Sequence, residues 1–226
     1  MDKKLSKNPY NLNIRFKKNK KNILSELSYL YNSDKGSPEG SIQKLDWNYH
    51  IYTDIYNLLF NHCKLSVKNV FELGIGTTNQ KIRSNMGLLG TPGASLRMWK
   101  DYFPNANIIG ADIDVDILFE EERIKTFYVD QTDQDSIRKL WDKIDFSFDI
   151  MIDDGLHDPD ANINFYKFSK HKNRTNGIYI IEDVKKEHIN YIEDYLLRKD
   201  ESYFSLEFDQ SNNNLITNYF VIILSS

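Results

Sequence analysis

Cysteine is almost missing from this 226-residue chain: Cys63 is the only one. No disulfide can close within the chain, so its stability has to come from a packed core. Long apolar runs are also missing. None approaches the roughly 20 residues that a membrane-spanning helix needs, which excludes stable membrane insertion through such a helix. The first residues, MDKKLSKNPYNLN, lack the hydrophobic centre of a secretory signal. A reducing, cytoplasmic location is the expectation that follows. Nor does one sign of charge dominate: the net is −4, too small a field to advertise a nucleic-acid partner. There is no internal repeat, and no low-complexity segment beyond a general richness in Lys and Asn.

What is present suits one domain of ordinary size. Hydrophobic residues make up 40% and charged residues 27%, a balance that supports a globular core. The aromatic residues read first as core. Those near the N-terminus leave a homo-oligomer open as an alternative use. Charge is distributed unevenly. Lys3, Lys4, Lys7, Arg15, Lys17, Lys18, Lys20 and Lys21 face a single Asp2 in the first 22 residues. This run reads as a solvated arm; contact with a phosphate-bearing substrate, a partner or an anionic membrane is the sharper alternative. The expected division is a basic arm and short helix over 1–32 and a single domain over 33–226.

Periodicity predicts helices over 23–31, 46–63, 95–103, 133–144, 160–171 and 188–198. Between them run short apolar stretches: 69–76, 107–112, 126–130, 148–152 and 177–181. Two more, 203–208 and 219–224, flank the polar Ser211-Asn212-Asn213-Asn214 and read as a terminal hairpin. Strands alternating with helices imply a parallel sheet with crossovers, and strands apolar throughout are those covered on both faces. The expected fold is α/β: a Rossmann-like, mostly parallel seven-stranded sheet with a C-terminal antiparallel hairpin and helices on both faces. In such sheets ligands lie beyond the carboxyl ends of the strands. Glu72 to Gly76, Asp112, Asp130, Asp153 to His157 and Glu182-Asp183 should therefore converge on one crevice.

The first glycine turn, Gly74-Ile75-Gly76-Thr77-Thr78-Asn79, lacks the third glycine of the dinucleotide fingerprint. That counts against a tightly held pyrophosphate. The combination Glu72-Leu73-Gly74-Ile75-Gly76 resembles motif I of class I methyltransferases that use S-adenosylmethionine. The resemblance implies that Gly74 and Gly76 let the backbone approach the methionine and ribose, and that Glu72 orients the cationic cofactor. It assigns Asp112 to the ribose hydroxyls and Asp130 to the adenine amine, with Ser95 and Asp153 as further cofactor contacts. It covers roughly Ser33 to the C-terminus and omits the basic arm.

Ile152-Asp153-Asp154-Gly155-Leu156-His157 is the most informative stretch. Asp154 and His157 follow one strand, and Glu182-Asp183 closes the neighbouring one, roughly 5 Å away. Asp154, His157 and Asp183 can therefore surround one small volume. Paired carboxylates suit Mg²⁺, or Mn²⁺, and a neutral imidazole suits a general base. The pattern resembles a metal-dependent subgroup of sugar O-methyltransferases that includes macrolide-sugar and bacterial capsule or glycan enzymes. That resemblance implies that Asp154 and Asp183 hold the metal, that His157 is the base, and that the acceptor is a sugar hydroxyl on a nucleotide sugar or glycan precursor. Glu182 is the nearest candidate for a further metal carboxylate. Leu156 stands where the subgroup commonly has Ser. Ser33-Asp34-Lys35-Gly36, His50-Ile51-Tyr52 and the stretch Gly90 to Leu96 also resemble parts of the subgroup. His50, on a helix rich in Tyr, reads as structural, and His62, His171 and His188 read as surface residues. Three other readings remain: a methyltransferase with a non-sugar acceptor, an NAD-dependent oxidoreductase, and a non-catalytic binding module on the same sheet.

Overall fold

Successive side chains of a strand point to opposite faces, so a strand apolar at every position feeds two cores. The computed structural model, which describes residues 22–208 and 218–225, shows this directly. On β1 (Asn69–Leu73), Val70 joins one core and Phe71 the other. The same split recurs at Ile108 and Ile109 on β2 (Asn107–Asp112), and at Ile150 and Met151 on β5 (Phe148–Asp153). It recurs again at Ile222 and Ile223 on β8 (Asn218–Leu224). The other strands are β3 (Glu120–Glu121), β4 (Ile124–Tyr128), β6 (Asn173–Lys185) and β7 (Ser202–Phe208).

The sheet order is β3-β4-β2-β1-β5-β6-β8-β7. β4, β2, β1, β5 and β6 run parallel, while β8 is antiparallel to both β6 and β7. All seven expected strands are present. The eighth, β3, is a two-residue antiparallel edge strand too short to leave a periodic signal. The basic arm (residues 1–21) and the polar segment 209–217 lie outside the described residues.

Helices α1 (Ile23–Tyr31), α2 (Tyr52–Phe60) and α3 (Ala94–Tyr102) feed the first core through Leu24, Tyr56 and Trp99. Helices α4 (Gln134–Trp141), α5 (Pro159–Ser169) and α6 (Ile189–Arg198) feed the second through Ile137, Phe165 and Ile192. Asn22, Asp133 and Asp158 cap α1, α4 and α5 through side-chain oxygens, as short polar residues at that position do. Asn22 also donates to Thr53 O at 3.1 Å, tying α1 to α2.

α2 starts later than its apolar spacing predicts. Residues 46–51 instead belong to a loop, in which His50 N donates to Asp34 O; in the first turn of α2, Thr53 N donates to Lys35 O. This loop folds the segment 33–36 down toward the ends of the central strands.

Candidate active site

The carboxyl ends of β1, β2, β4, β5 and β6 open into a crevice of about 550 Å³. That is the size range of small-molecule sites. Its floor is the glycine turn after β1. Gly74 has φ +81°, and a Cβ there would lie 2.0 Å from the carbonyl oxygen of Asp154. Only glycine lets the β1 and β5 turns approach so closely. Gly76, at φ +85°, faces Met86. The loop between β1 and α3 returns over the crevice through Met86 N to Thr77 O and Gly93 N to Ile75 O.

Asp112 ends β2, is buried, and lines one side. Its Oδ2 accepts from Ile75 N at 2.8 Å and its Oδ1 from Asp114 N at 2.9 Å. Burial raises its pKa, partly offset by these amides. Asp130 lines the same side, but β4 ends at Tyr128, two residues earlier than expected. Asp130 therefore sits in a turn, its Oδ1 held by Thr132. Ser95, in the first turn of α3, borders a smaller adjoining recess with Ser33, Gly74 and Gly76.

On the other side, Asp154, His157 and Asp183 present donor atoms within 4.8 Å of one another. His157 Nε2 lies 3.9 Å from Asp154 Oδ1, and His157 Nδ1 is buried without a hydrogen-bond partner. His157 (φ +55°) and Asp183 (φ +52°) both adopt left-handed backbone. Such strain in non-glycine residues persists where the surroundings enforce it, and it clusters at functional sites. At Asp183 the enforcing feature is a bulge. Ile181 pairs with Val221 and Val184 with Tyr219, so Glu182 and Asp183 together oppose Phe220 alone. Without the bulge, Asp183 would point to the α4–α6 face. With it, both acids turn toward the α1–α3 face. Tyr52 and Asn218 hydrogen-bond Asp183 Oδ1. Burial acts to raise the Asp183 pKa, but the fields of His50 and His157 and the Tyr52 hydroxyl outweigh it and hold it low. His50 stacks on Tyr52 with centroids 4.3 Å apart and lines the crevice, a position the helical reading of that segment does not give.

Behind this cluster lies Lys35, 2% exposed. Its Nζ donates to Asp154 Oδ2 and Glu182 Oε2, both at 2.7 Å, and lies 3.1 Å from Glu72 Oε1. The Glu72 contact is an ion pair without the angle of a hydrogen bond. Burial alone would depress the Lys35 pKa; the carboxylates of Asp154, Glu182 and Glu72 reverse this and raise it well above its usual value. One ammonium shared among three acids cannot neutralise them all. Burial still pushes Asp154 up to about 7, and Glu182 well above the carboxylate range.

Three acids assigned to ligands by the sequence do not reach the crevice. Glu72, expected at the cofactor, is fully buried and accepts from Trp99 Nε1 at 2.9 Å. Glu182, expected at the metal, is committed to Lys35 and Tyr56. Asp153, also expected at the cofactor, points to the opposite face because it alternates with Ile152. There it accepts from Gln131 Nε2 at 2.8 Å and Asn162 Nδ2 at 3.1 Å, and burial raises its pKa to about 6. Gln131 in turn accepts from Leu156 N at 2.8 Å, which fixes the turn carrying His157. Lys35 lies in a segment singled out only by resemblance, with no local sign that it would be buried, and Gln131, a glutamine after a strand, leaves no signal.

An open sheet of this order, with a glycine turn after β1, an acid ending β2 and an antiparallel β8 inserted beside β6, is the Rossmann-like fold of class I methyltransferases. The MycE methyltransferase of the mycinamycin biosynthetic pathway, solved with Mg, SAH and mycinamycin VI, superposes with a TM-score of 0.63. It is 24% identical, over 89% of this chain and 54% of that one. No family model matches the sequence. Curated proteins that match part of it are named O-methyltransferases. It is 32% identical to the 8-demethyl-8-alpha-L-rhamnosyl tetracenomycin-C 2'-O-methyltransferase of Streptomyces olivaceus, over 62% of this chain and 34% of that enzyme. It is 35% identical to the demethylmacrocin O-methyltransferase of Streptomyces fradiae, over 60% of this chain and 32% of the relative. The matched stretch spans about a third of the length of these relatives.

Proposed function

We propose that this protein transfers a methyl group from S-adenosylmethionine to a sugar hydroxyl, with a divalent cation at Asp154 and Asp183 and with His157 as general base. The observation that carries the reading is the meeting of Asp154, His157 and Asp183 at the crevice, beside the Gly74–Gly76 turn. The donor set fits a hard cation. Two carboxylates face one another, Asp183 is held ionised, and three buried or half-buried acids surround a single ammonium. Mg²⁺ and Mn²⁺ favour oxygen over imidazole ligands, which leaves His157 free for proton transfer.

When bound, the cation would lower the pKa of a coordinated hydroxyl and fix its orientation. The cofactor supplies an electrophilic methyl on a sulfonium. The chain does the rest. Gly74 and Gly76 leave room for the cofactor backbone, and Asp112 keeps lone pairs for a ribose diol while its amide bonds hold it still. Residues of the loop between Gly76 and Met86 line the crevice together with Trp47. His157, oriented by Gln131 through the Leu156 amide, accepts the hydroxyl proton as the oxygen attacks. Glu72, Glu182 and Asp153 serve as buried supports.

The Streptomyces olivaceus relative is named for methylating a rhamnosyl tetracenomycin, which supports a glycosidic acceptor. A nucleotide sugar or surface-glycan precursor is the finer alternative, and the basic arm would suit its phosphates. A cytoplasmic location accords with both, and no helix among the described residues is long and apolar enough to cross a membrane. Titration with S-adenosylhomocysteine, with and without Mg²⁺, on wild type and Asp154→Ala, tests the core of the reading. Binding to wild type that survives the substitution, joined to loss of labelled-methyl transfer across a panel of glycosides and nucleotide sugars, is the expected result. Absence of binding to wild type would sink it.

A further inference from the structure

The reaction as proposed gives Trp47 no part beyond lining the crevice, yet its placement is specific. The main chain that carries it is pinned, because the Gln43 side chain donates to both Leu45 O and Trp47 O. The indole is pinned at both ends of its ring system. Its Nε1 donates to Asp34 Oδ2 at 3.1 Å. Its far edge, Cζ3 and Cη2, lies against Gly87, where a Cβ would come within 3.1 and 3.7 Å of those two atoms. Gly87 has φ +63°, so glycine here both permits the turn and makes room for the ring.

An indole held by its edges has its flat faces left to offer. Trp99 and Trp141 are buried among other rings, whereas Trp47 meets no other ring and no cation among the described residues. An aromatic face carries the negative part of the ring quadrupole and attracts weakly positive hydrogens. A pyranose is amphipathic in the matching sense, with C–H bonds on its faces and hydroxyls around its rim. Around Trp47 the crevice is polar: Asp34, His50, His157 and Asp183 line it too. One flat apolar plate rimmed by hydrogen-bonding groups suits such a ring better than it suits a wholly apolar ligand. The plate is also fixed in the frame of the reacting groups. Asp34 Oδ2 lies 4.0 Å from His50 Nε2, His50 stacks on Tyr52, and Tyr52 hydrogen-bonds Asp183.

We propose that Trp47 is the sugar platform of the acceptor site: the C–H face of the pyranose lies on the indole, and the plane so fixed selects which hydroxyl is offered to His157. A general base acts only on a proton within hydrogen-bond reach, so the tilt of the sugar decides the position methylated. The contact is to the sugar ring itself and is the same for a glycoside and for a nucleotide sugar. The inference rests on the reading of the acceptor as a sugar.

Tryptophan fluorescence reads the contact directly. The chain has three tryptophans, and Trp99 and Trp141 are buried away from the crevice, so a sugar-dependent change in emission belongs to Trp47. The full-length chain, saturated with S-adenosylhomocysteine and Mg²⁺, is titrated with methyl α-L-rhamnopyranoside, phenyl α-L-rhamnopyranoside and dTDP-L-rhamnose. Wild type is expected to change its emission with all three, and Trp47→Phe with none. In labelled-methyl transfer, Trp47→Ala is expected to raise the acceptor KM about tenfold, more than it lowers kcat, and Trp47→Phe about two- to threefold. Trp47→Ala should also spread the methyl group over more than one hydroxyl, read by NMR of the product. Affinity for S-adenosylhomocysteine should stay within about twofold in both variants. Transfer to these sugars with no change in wild-type emission would overturn the inference, as would an unaltered KM and product in Trp47→Ala. A response to the phenyl glycoside alone would make Trp47 a plate for the aglycone, and equal losses of acceptor and cofactor binding would make it a prop for the Gly87 turn; either overturns it. Should Trp47→Ala fail to fold, wild type and Trp47→Phe decide. The two readings fail differently. If wild type binds S-adenosylhomocysteine but neither binds nor methylates any of the sugars, the sugar acceptor is wrong and the platform falls with it; if the sugars are methylated without Trp47, only the platform falls.

Discussion

At the β1–β2–β4 end of the crevice, the ligand-facing surface is made of backbone and strand ends: two glycines at positive φ, and Asp112 and Asp130 held by neighbouring amides or hydroxyls. At the β5–β6 end it is made of side chains gathered from distant segments. Lys35 comes from the loop after α1, Tyr52 from α2, His157 from the turn after β5, and Asp183 from a bulge opposite Phe220. The first end needs only that the sheet form. The second needs two loops, the start of a helix and a strand irregularity to be right at once. A half built from backbone and strand ends thus sits beside a half built from side chains of distant segments, and the two touch where Gly74 packs on Asp154 O.

Substitutions that separate the halves follow from this. The largest effect is expected for His157→Gln, which should lower methyl transfer by about 10²–10⁴-fold while S-adenosylhomocysteine and Mn²⁺ still bind; loss of Mn²⁺ binding would instead make His157 a metal ligand. Gly74→Ala should damage both halves. It combines a left-handed alanine with a Cβ on Asp154 O, so a loss of about 2–5 kcal/mol is expected, read as a fall in Tm of roughly 5–15 °C. Asp112→Asn should weaken S-adenosylhomocysteine by about tenfold to a hundredfold. Its effect on Mn²⁺ should stay within about twofold, since the two ends share no partners.

Asp153 supplies a pH test. Its pKa rises from 3.8 to about 6 on folding, chiefly by burial. The folded state therefore holds this proton more tightly than the unfolded one, and stability falls as pH rises from about 4 through 6. Compared with Asp153→Asn, wild type should lose about 2–3 kcal/mol over that window in urea melts. A relative gain with pH would show that Gln131 and Asn162 outweigh burial. The smallest effect is expected at Arg97, whose contact with Glu121 is partly exposed. Arg97→Ala should change stability by no more than about 1 kcal/mol and leave both halves of the crevice working.

How far each half was legible from sequence follows the same division. The parallel strands, the hairpin and most helix positions were readable, because apolar runs and turn residues are local signals. The Glu72–Gly76 turn and Asp112 were readable for the same reason, each sitting at the end of such a run. Asp154, His157 and Asp183 were placed together correctly from strand adjacency. The direction of each acid was not. Glu72 and Asp153 look like strand-end ligands, yet pleat alternation sends both side chains into buried supports.

The sequence by itself determined the two-sided sheet, since residues apolar at every strand position have to be covered on both faces. It determined, too, that acids would gather at the carboxyl ends. Only the tertiary structure decided which of those acids face the crevice. A strand residue's face depends on one bulge in β6, and the partner of three of the acids is a lysine more than thirty residues upstream of the first of them. Neither is encoded in local periodicity, because both depend on contacts that exist only once the sheet and the N-terminal loop have come together.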